Sequence, residues 1–242
     1  MDLSIIKEKS KLSKTQLNQL IQDGYTIIDN LDIEKIIALK KIYLEEFAIE
    51  NHGKFQSTMT VVDGENLRQD IFNHIQKNCE AIVQDSLPDY EILLGNFFNK
   101  PASSPLSDVG VHRDWSYVDH NLDNAYNFWI PLDDINDENG SFYVIPESQN
   151  INHGPRVTPF QDELGPLKNQ LTRFGKAMQV KKGQAIIYHP GIIHYSLPNN
   201  SPYNRLVVGM VCKPIKLKAC HYFWDKNNNC RKYEVDSNFY NT

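Results

Sequence analysis

Residues 111–115 read VHRDW, a histidine two positions before an aspartate in an apolar and aromatic setting. On an extended backbone side chains alternate between faces, so His112 and Asp114 share one face and Arg113 takes the other, a structural rather than metal-facing position. An imidazole and a carboxylate in one small volume lack only a second histidine to form the facial triad that holds non-haem Fe(II). The same dipeptide spacing also suits a hydrogen-bonded couple at a strand end, so the third ligand has to come from elsewhere in the chain.

The later histidines are His120, His153, His189, His194 and His221. His120 lies in the polar stretch YVDHNLDN and His153 in QNINHGPR, which suit loop positions, while His221 beside the aromatic tail suits packing. His189 and His194 remain, both in YHPGIIHYSLPNNSPYNR. If IIHYSL and RLVVGM form a hairpin with its turn near Asn199 and Asn200, His194 stands opposite Arg205, with Ser196 on the same face. A metal ligand, a hydroxyl and a guanidinium would then project into one cavity, and a buried arginine calls for an anion such as a carboxylate. His189 has the lesser claim, because Pro190 and Gly191 break its strand and Arg205 would not face it.

These residues need elements to position them. SKTQLNQLIQDG places Ser13 and Gln16 at capping-box spacing, Leu17, Leu20 and Ile21 on one side and Gly24 as a stop, which predicts a helix before a strand over Tyr25 to Ile28. Asp32 opens a second periodic run with Ile33, Ile36, Ile37, Leu44 and Phe47 expected inward, and NLRQDIFNHIQKNCEAIVQ predicts a further helix before Pro88. From Tyr90 onward EILLGNFFN, AYNFWIPL, GSFYVIP, AMQVKKGQAIIYH, GIIHYSL and RLVVGMVCKPI read as strands separated by turn signals such as ENG and PNNSPYN. The pattern predicts one domain over residues 1–242: a helical part to about 88, a closed or double-sheet β core over about 89–215, and an extension over 216–242.

A net charge of -5 and a pI near 5.9 argue against a broad nucleic-acid surface. MDLSIIKEKSKLSK lacks the apolar centre of a signal peptide and no later stretch has membrane-span length, so a soluble, cytoplasmic protein is expected. Cys79, Cys212, Cys220 and Cys230 form no C-x-x-C pair and are expected as free, mostly buried thiols.

In this order DGYTIIDNL, VHRDW, NFWIPLDDINDENGSFYVIPES and HYSLPNNSPYNR resemble the phytanoyl-CoA dioxygenase (PhyH-like) family of Fe(II)/2-oxoglutarate-dependent oxygenases, over roughly residues 17 to 212. The resemblance implies a mixed α/β chain with a mainly antiparallel core, a double-stranded β-helix (jelly roll) buttressed by N-terminal helices. It implies that His112, Asp114 and His194 bind Fe(II), that Arg205 with Ser196 anchors the distal carboxylate of 2-oxoglutarate, and that Trp129 and Asn96 line the cosubstrate pocket. Dioxygen would be the other cosubstrate, with succinate and CO2 released and a substrate C–H bond hydroxylated. The chain departs from the family at PESQN, where a Gly-Ser-His ending is frequent, while Asp114 stands where related halogenases carry a small residue, which disfavours halogenation.

On the substrate side, Trp115 and Tyr117 could form a wall and Asp119 could attract an amine. An acidic protein is a poor match for a polyanionic carrier, so a free small molecule or natural-product intermediate is expected, with no nucleic acid or membrane partner. Two other classes share the barrel: a cupin-like binding protein without turnover, and a zinc-dependent hydrolase or isomerase. Arg205 and Ser196 beside the triad separate the oxygenase from both, since a hydrolase needs no 2-oxoglutarate anchor.

Overall fold

In a computed structural model of the chain, residues 10–50, 52–61, 65–122, 125–151, 154–157 and 164–241 are described. His153 lies outside them. Ser13 caps the first helix, α1 (Lys14–Gln22), by accepting from the Gln16 amide while the Gln16 side chain accepts from the Ser13 amide. Gly24, at φ +83°, turns the chain into β1 (Tyr25–Ile28).

Asp32 caps α2 (Ile33–Ile42), which runs into a wide π turn over Tyr43–Phe47. Ile36, Leu39, Tyr43 and Phe47 form its buried stripe, whereas Ile33, Ile37 and Leu44, expected inward, are exposed. Ile36 and Phe47 are buried as expected, and the stripe runs i, i+3, i+7, i+11, with Leu39 and Tyr43 in place of the three exposed residues. β2 (Gln56–Ser57) and the short α3 (Thr58–Val61) precede α4 (Glu65–Ser86), which packs Ile71, Ile75, Cys79 and Val83 into the core.

The remaining strands are β3 (Tyr90–Lys100), β4 (Val109–His112), β5 (Tyr126–Pro131), β6 (Phe142–Ile145), β7 (Lys176–Met178), β8 (Ala185–Tyr188), β9 (Ile193–Ser196), β10 (Arg205–Pro214), β11 (Ala219–Trp224) and β12 (Cys230–Val235). They form antiparallel sheets: one of six strands in the order β1-β8-β5-β10-β3-β2, one of four in the order β4-β9-β6-β7, and the β11–β12 hairpin. The protein is therefore a mixed α/β chain with antiparallel sheets.

Alternation divides the large sheet into two chemistries. Leu206, Val208, Met210 and Cys212 of β10 join the helices in one core cluster, while Val207 joins Trp129, Phe142, Val144, Ile186 and Tyr188 in a second that draws on both sheets. Arg205 shares the face of Val207 and so points toward the small sheet.

The expected hairpin between β9 and β10 does not form. β9 pairs with β4 and β6 in the small sheet, and β10 with β3 and β5 in the large one, so the Asn- and Pro-rich segment 197–204 crosses between sheets. Arg205 stands opposite Lys100, not His194. Asn199, fully buried, fixes this crossing: its Nδ2 donates to the carbonyls of Lys100 (2.9 Å) and Tyr203 (2.7 Å), and its Oδ1 accepts from Ser201 N and Oγ. No described helix is long and apolar enough to cross a membrane. The four cysteines are free, and Cys230 alone among them is exposed.

Candidate metal centre

β4 ends at His112, so Asp114 lies just beyond the strand rather than in it. Its position is set by bonds from three other parts of the chain. The Asp114 amide donates to Pro190 O (2.9 Å), its carbonyl accepts from Arg156 Nε (2.7 Å), and its Oδ2 accepts from Asn127 Nδ2 (2.6 Å) and Tyr188 Oη (2.9 Å). Asn127 and Tyr188 are opposite one another on β5 and β8, so the large sheet grips the carboxylate from below.

His194 lies directly opposite His112 on β9 and β4, and the two rings are 4.1 Å apart. Nε2 of His112 is 3.6 Å from Asp114 Oδ1 and Nε2 of His194 is 3.7 Å from Asp114 Oδ2, and the three donor atoms fall within 4.8 Å of one another. Each ring's Nδ1 contacts a carbonyl two residues back, Gly110 O at 2.8 Å and Ile192 O at 3.0 Å. A carbonyl only accepts, so Nδ1 carries the proton and Nε2 turns its lone pair toward the carboxylate.

The electrostatics agree with a cation site. Burial raises the cost of charging Asp114, but the two histidines and the Tyr188 hydroxyl outweigh it and hold the carboxyl ionised. His194 is pushed down to about 4 by burial and then by the neighbouring His112, so it is a neutral imidazole at neutral pH. For His112 burial works against the charged form, and Asp114 more than compensates, raising its pKa.

His189 stands outside this group. It follows β8, accepts from Gly191 N through Nδ1 (3.0 Å), and meets the edge of Tyr126, which belongs to the helix-side core. His221 packs among Phe223, Phe239 and Tyr240, and the His120 amide contacts the Tyr222 hydroxyl.

Behind the His112–Asp114–His194 cluster a chain of rings leads to two buried basic side chains. His194 packs on Phe142 (5.2 Å), Phe142 on Trp129 (5.2 Å), and the Arg205 guanidinium lies 5.4 Å from the Trp129 ring centre. Arg205 is buried and its Nε has no hydrogen-bond partner. Lys100, opposite it, is fully buried and donates through Nζ to Leu197 O and, at 3.5 Å, to Ser196 O. Burial and the Arg205 charge push Lys100 down to about 6 against the pull of Asp108, and burial lowers Arg205 to about 9 against that of Asp133.

Lys100 was not singled out from the sequence. Its signal was available in the alternation of EILLGNFFNK, which sends Asn96, Phe98 and Lys100 to one face. Asn127 and Tyr188 were also missed, since nothing local ties either to Asp114.

A cavity of about 610 Å³ opens beside the triad and includes His112, Asp114, Asn127 and Tyr188 in its lining. Trp115 and Tyr117 line it as anticipated. Asn96 lines it too, opposite Gly209, rather than standing at the Lys100–Arg205 end. Arg113, expected to face away, is part of the lining because the strand ends before it. Asp119 is absent from the described lining: its carboxylate pairs with Lys232 of β12 at 2.6 Å, which draws it to the surface hairpin and corrects the amine-binding expectation.

Residues 40–207 match the family model of phytanoyl-CoA dioxygenase (PhyH). The chain belongs to the phytanoyl-CoA dioxygenase family. It is 30% identical over 108 residues to phytanoyl-CoA dioxygenase domain-containing protein 1 of Danio rerio, covering 41% of this chain and 37% of the relative. It is 25% identical over 126 residues to phytanoyl-CoA dioxygenase 1 of Oryza sativa subsp. japonica, covering 50% and 43%. The chain thus spans less than half the length of these curated relatives.

The fold of this family member is similar to that of EvdO2 from Micromonospora carbonacea var. aurantiaca, solved with 2-oxoglutarate (TM-score 0.62, 14% identity, 93% of this chain and 94% of that one). It is also similar to the non-haem α-ketoglutarate-dependent carbocyclase SnoK from nogalamycin biosynthesis (0.60, 15%, 86% and 87%). HygX from Streptomyces hygroscopicus, solved with nickel, 2-oxoglutarate and hygromycin B, is a third (0.59, 15%, 85% and 88%).

Proposed function

We propose that this protein is an Fe(II)- and 2-oxoglutarate-dependent dioxygenase that oxidises a C–H bond of a small molecule, with hydroxylation as the default outcome. The single domain would be a double-stranded β-helix, its two layers the six- and four-stranded sheets. The observation that carries the reading is the conjunction of the His112–Asp114–His194 cluster with the buried basic side chains Arg205 and Lys100, reached through Phe142 and Trp129.

Both groups fit the residues present. Two neutral imidazoles and one carboxylate are the donor set of a facial Fe(II) site, which leaves positions open for other ligands. The unpartnered Nε of buried Arg205 asks for an acceptor, and a carboxylate supplies one while neutralising the charge. When bound, Fe(II) with 2-oxoglutarate and dioxygen supplies substrate oxidation coupled to cosubstrate decarboxylation to succinate and CO2.

The chain's own part is positioning. His112, Asp114 and His194 would hold the metal, with Asn127 and Tyr188 aiming the carboxylate. Arg205 and Lys100, with Ser196 beside them, would hold the distal carboxylate, and Trp129 would cover the path between the two ends. A zinc hydrolase has no use for a 2-oxoglutarate anchor. The hygromycin B bound to HygX and the nogalamycin pathway of the carbocyclase SnoK and of the similarly folded epimerase SnoN support a small natural product as substrate class, with cyclisation or epimerisation accessible to the same ligands.

Anaerobic reconstitution with Fe(II) and 2-oxoglutarate tests the reading. The weak visible charge-transfer band of the chelate is expected. Its absence from protein that binds Fe(II) stoichiometrically would overturn the assignment.

A further inference from the structure

The cavity beside the triad changes character with distance from the metal. Beyond the ligands its walls are Phe55, Met59, Leu94, Trp115, Tyr117 and Val211. Among the described lining residues the charged side chains are Asp114, a member of the metal cluster, and Arg113, which has an interaction of its own within the chain. A polyphosphate carrier would find little cationic lining here, and an ammonium no carboxylate beyond Asp114.

The polar groups of the far walls are mostly spent on their neighbours. Ser57 Oγ accepts from Met59 N (3.3 Å), and Thr60 Oγ1 donates to Ser57 O (3.1 Å). Asn96 differs. It is 6% exposed, its Nδ2 has only the Met59 sulfur at 3.9 Å, and its Oδ1 is buried without a hydrogen-bond partner. A buried amide oxygen left unpaired is costly and calls for a reason. Gly209 opposite lets Phe98 and the amide pack close on β10, for a Cβ there would sit 2.3 Å from the Phe98 ring and 3.1 Å from Asn96 Oδ1. The outer wall is firm: Tyr117 meets the edge of Tyr240 at 5.3 Å, and Tyr240 Oη donates to Cys220 O at 2.7 Å.

We propose that the substrate is a neutral, largely apolar small molecule whose own N–H or O–H donates to Asn96 Oδ1 while its rings or chain lie against Trp115, Tyr117 and Leu94. This rests on the oxygenase reading for the identity of the site and adds the class of molecule it takes. Asn96 is then the residue that orients the molecule in the apolar far part of the cavity, away from Asn127, whose amide is turned on Asp114. A site built around one hydrogen bond discriminates against analogues that lack the donor.

Three fluorescent probes test it on zinc-loaded protein with 2-oxoglutarate present. N-phenyl-1-naphthylamine is neutral and offers one N–H, its N-methyl derivative has none, and 1-anilinonaphthalene-8-sulfonate adds a negative charge. The first should bind one per chain, about tenfold more tightly than the second, the ratio expected of one neutral hydrogen bond, and at least as much more tightly than the sulfonate. Asn96→Leu should bring the first probe down to the affinity of the second, which itself stays unchanged and so reports an intact cavity.

Equal binding of the N–H and N-methyl probes by the wild-type protein, or tight binding of the sulfonate, would overturn the proposal, and neither comparison needs a variant. The chelate band, recorded on the same preparation, separates the two readings. A missing band with the probe preferences intact removes the oxygenase assignment, whereas a normal band without those preferences removes this substrate class.

Discussion

His194 and His112 face each other across β9 and β4, their rings 4.1 Å apart and their Nε2 atoms both turned on Asp114. Two imidazoles that close tolerate one another because backbone carbonyls fix both tautomers and His194 stays neutral. His189, five positions earlier, shares none of this. His194→Ala is expected to abolish the Fe(II)–2-oxoglutarate band, and His189→Ala to keep it with a stability loss of about 1 kcal/mol. Retention of the band in His194→Ala would remove that residue from the site.

The carboxylate between the rings depends on the large sheet. Tyr188→Phe and Asn127→Ala each remove one donor to Asp114 Oδ2 and should weaken Fe(II) binding by roughly 10–100-fold with little change in circular dichroism. Metal titration followed by loss of a competing chelator's colour measures it. Unchanged affinity in both variants would mean that the metal does not use this carboxylate orientation.

Lys100 should give the proposed cosubstrate site a pH dependence. At about 6, its pKa leaves the amine mostly neutral at pH 7.5, whereas pairing with a carboxylate favours the ammonium. Binding 2-oxoglutarate should therefore take up close to one proton above pH 6, and affinity should fall as pH rises, by up to tenfold per unit. Calorimetry of zinc-loaded protein in buffers of different ionisation heat reads the proton directly. Lys100→Met should flatten the profile, and a flat wild-type profile without proton uptake would exclude the lysine.

Arg205→Ala should weaken 2-oxoglutarate by tenfold or more, as expected for loss of a charge-assisted bond worth roughly 1.5 to 3 kcal/mol, while Fe(II) affinity changes little. Equal cosubstrate affinity in variant and wild type, with a redox-inert metal in place, would contradict the anchor.

Asn199→Ala should act at a distance. Removing its side-chain bonds takes a donor from the buried Lys100 carbonyl and the acceptor from the buried Ser201 amide, costing about 2–4 kcal/mol. The thermal midpoint should drop by on the order of 5–10 °C, and cosubstrate binding should suffer more than metal binding. A variant as stable as wild type, by scanning calorimetry, would show that the crossing is held by other contacts.

What was legible in the sequence was local. The Ser13–Gln16 cap, the strand at Tyr25, the helix before Pro88 and the His112–Asp114 pair all rest on residues a few positions apart. The hairpin misled because a loop rich in Asn and Pro between two apolar runs has the same local signature whether its strands pair with each other or part into different sheets. His194 does join the cluster, but its partner across the ladder is His112, which spacing along the chain could not reveal. Lys100 reads as an ordinary strand-end lysine until β10 is laid beside β3. The buried stripe of α2 and the π turn after it kept Ile36 and Phe47 but took Leu39 and Tyr43 in place of the equally apolar Ile33, Ile37 and Leu44, a choice that residue type alone does not make.

The parting of β9 and β10 governs when the site comes into being. Each strand finds its partners far back in the chain, β9 at β4 and β6 and β10 at β3 and β5, so a fragment that holds the triad and the two buried basic side chains together must run at least from Lys100 to Arg205. Contacts of such long sequence separation form slowly, after the loops between them have closed. On the proposed assignment, a nascent chain that has not yet extended through β10 lacks the Arg205 anchor, and the cofactors would assist only the final docking of the two sheets. Ligands that bind only that docked state slow its escape, so metal and cosubstrate should act on this fold chiefly as brakes on unfolding rather than as nuclei of folding.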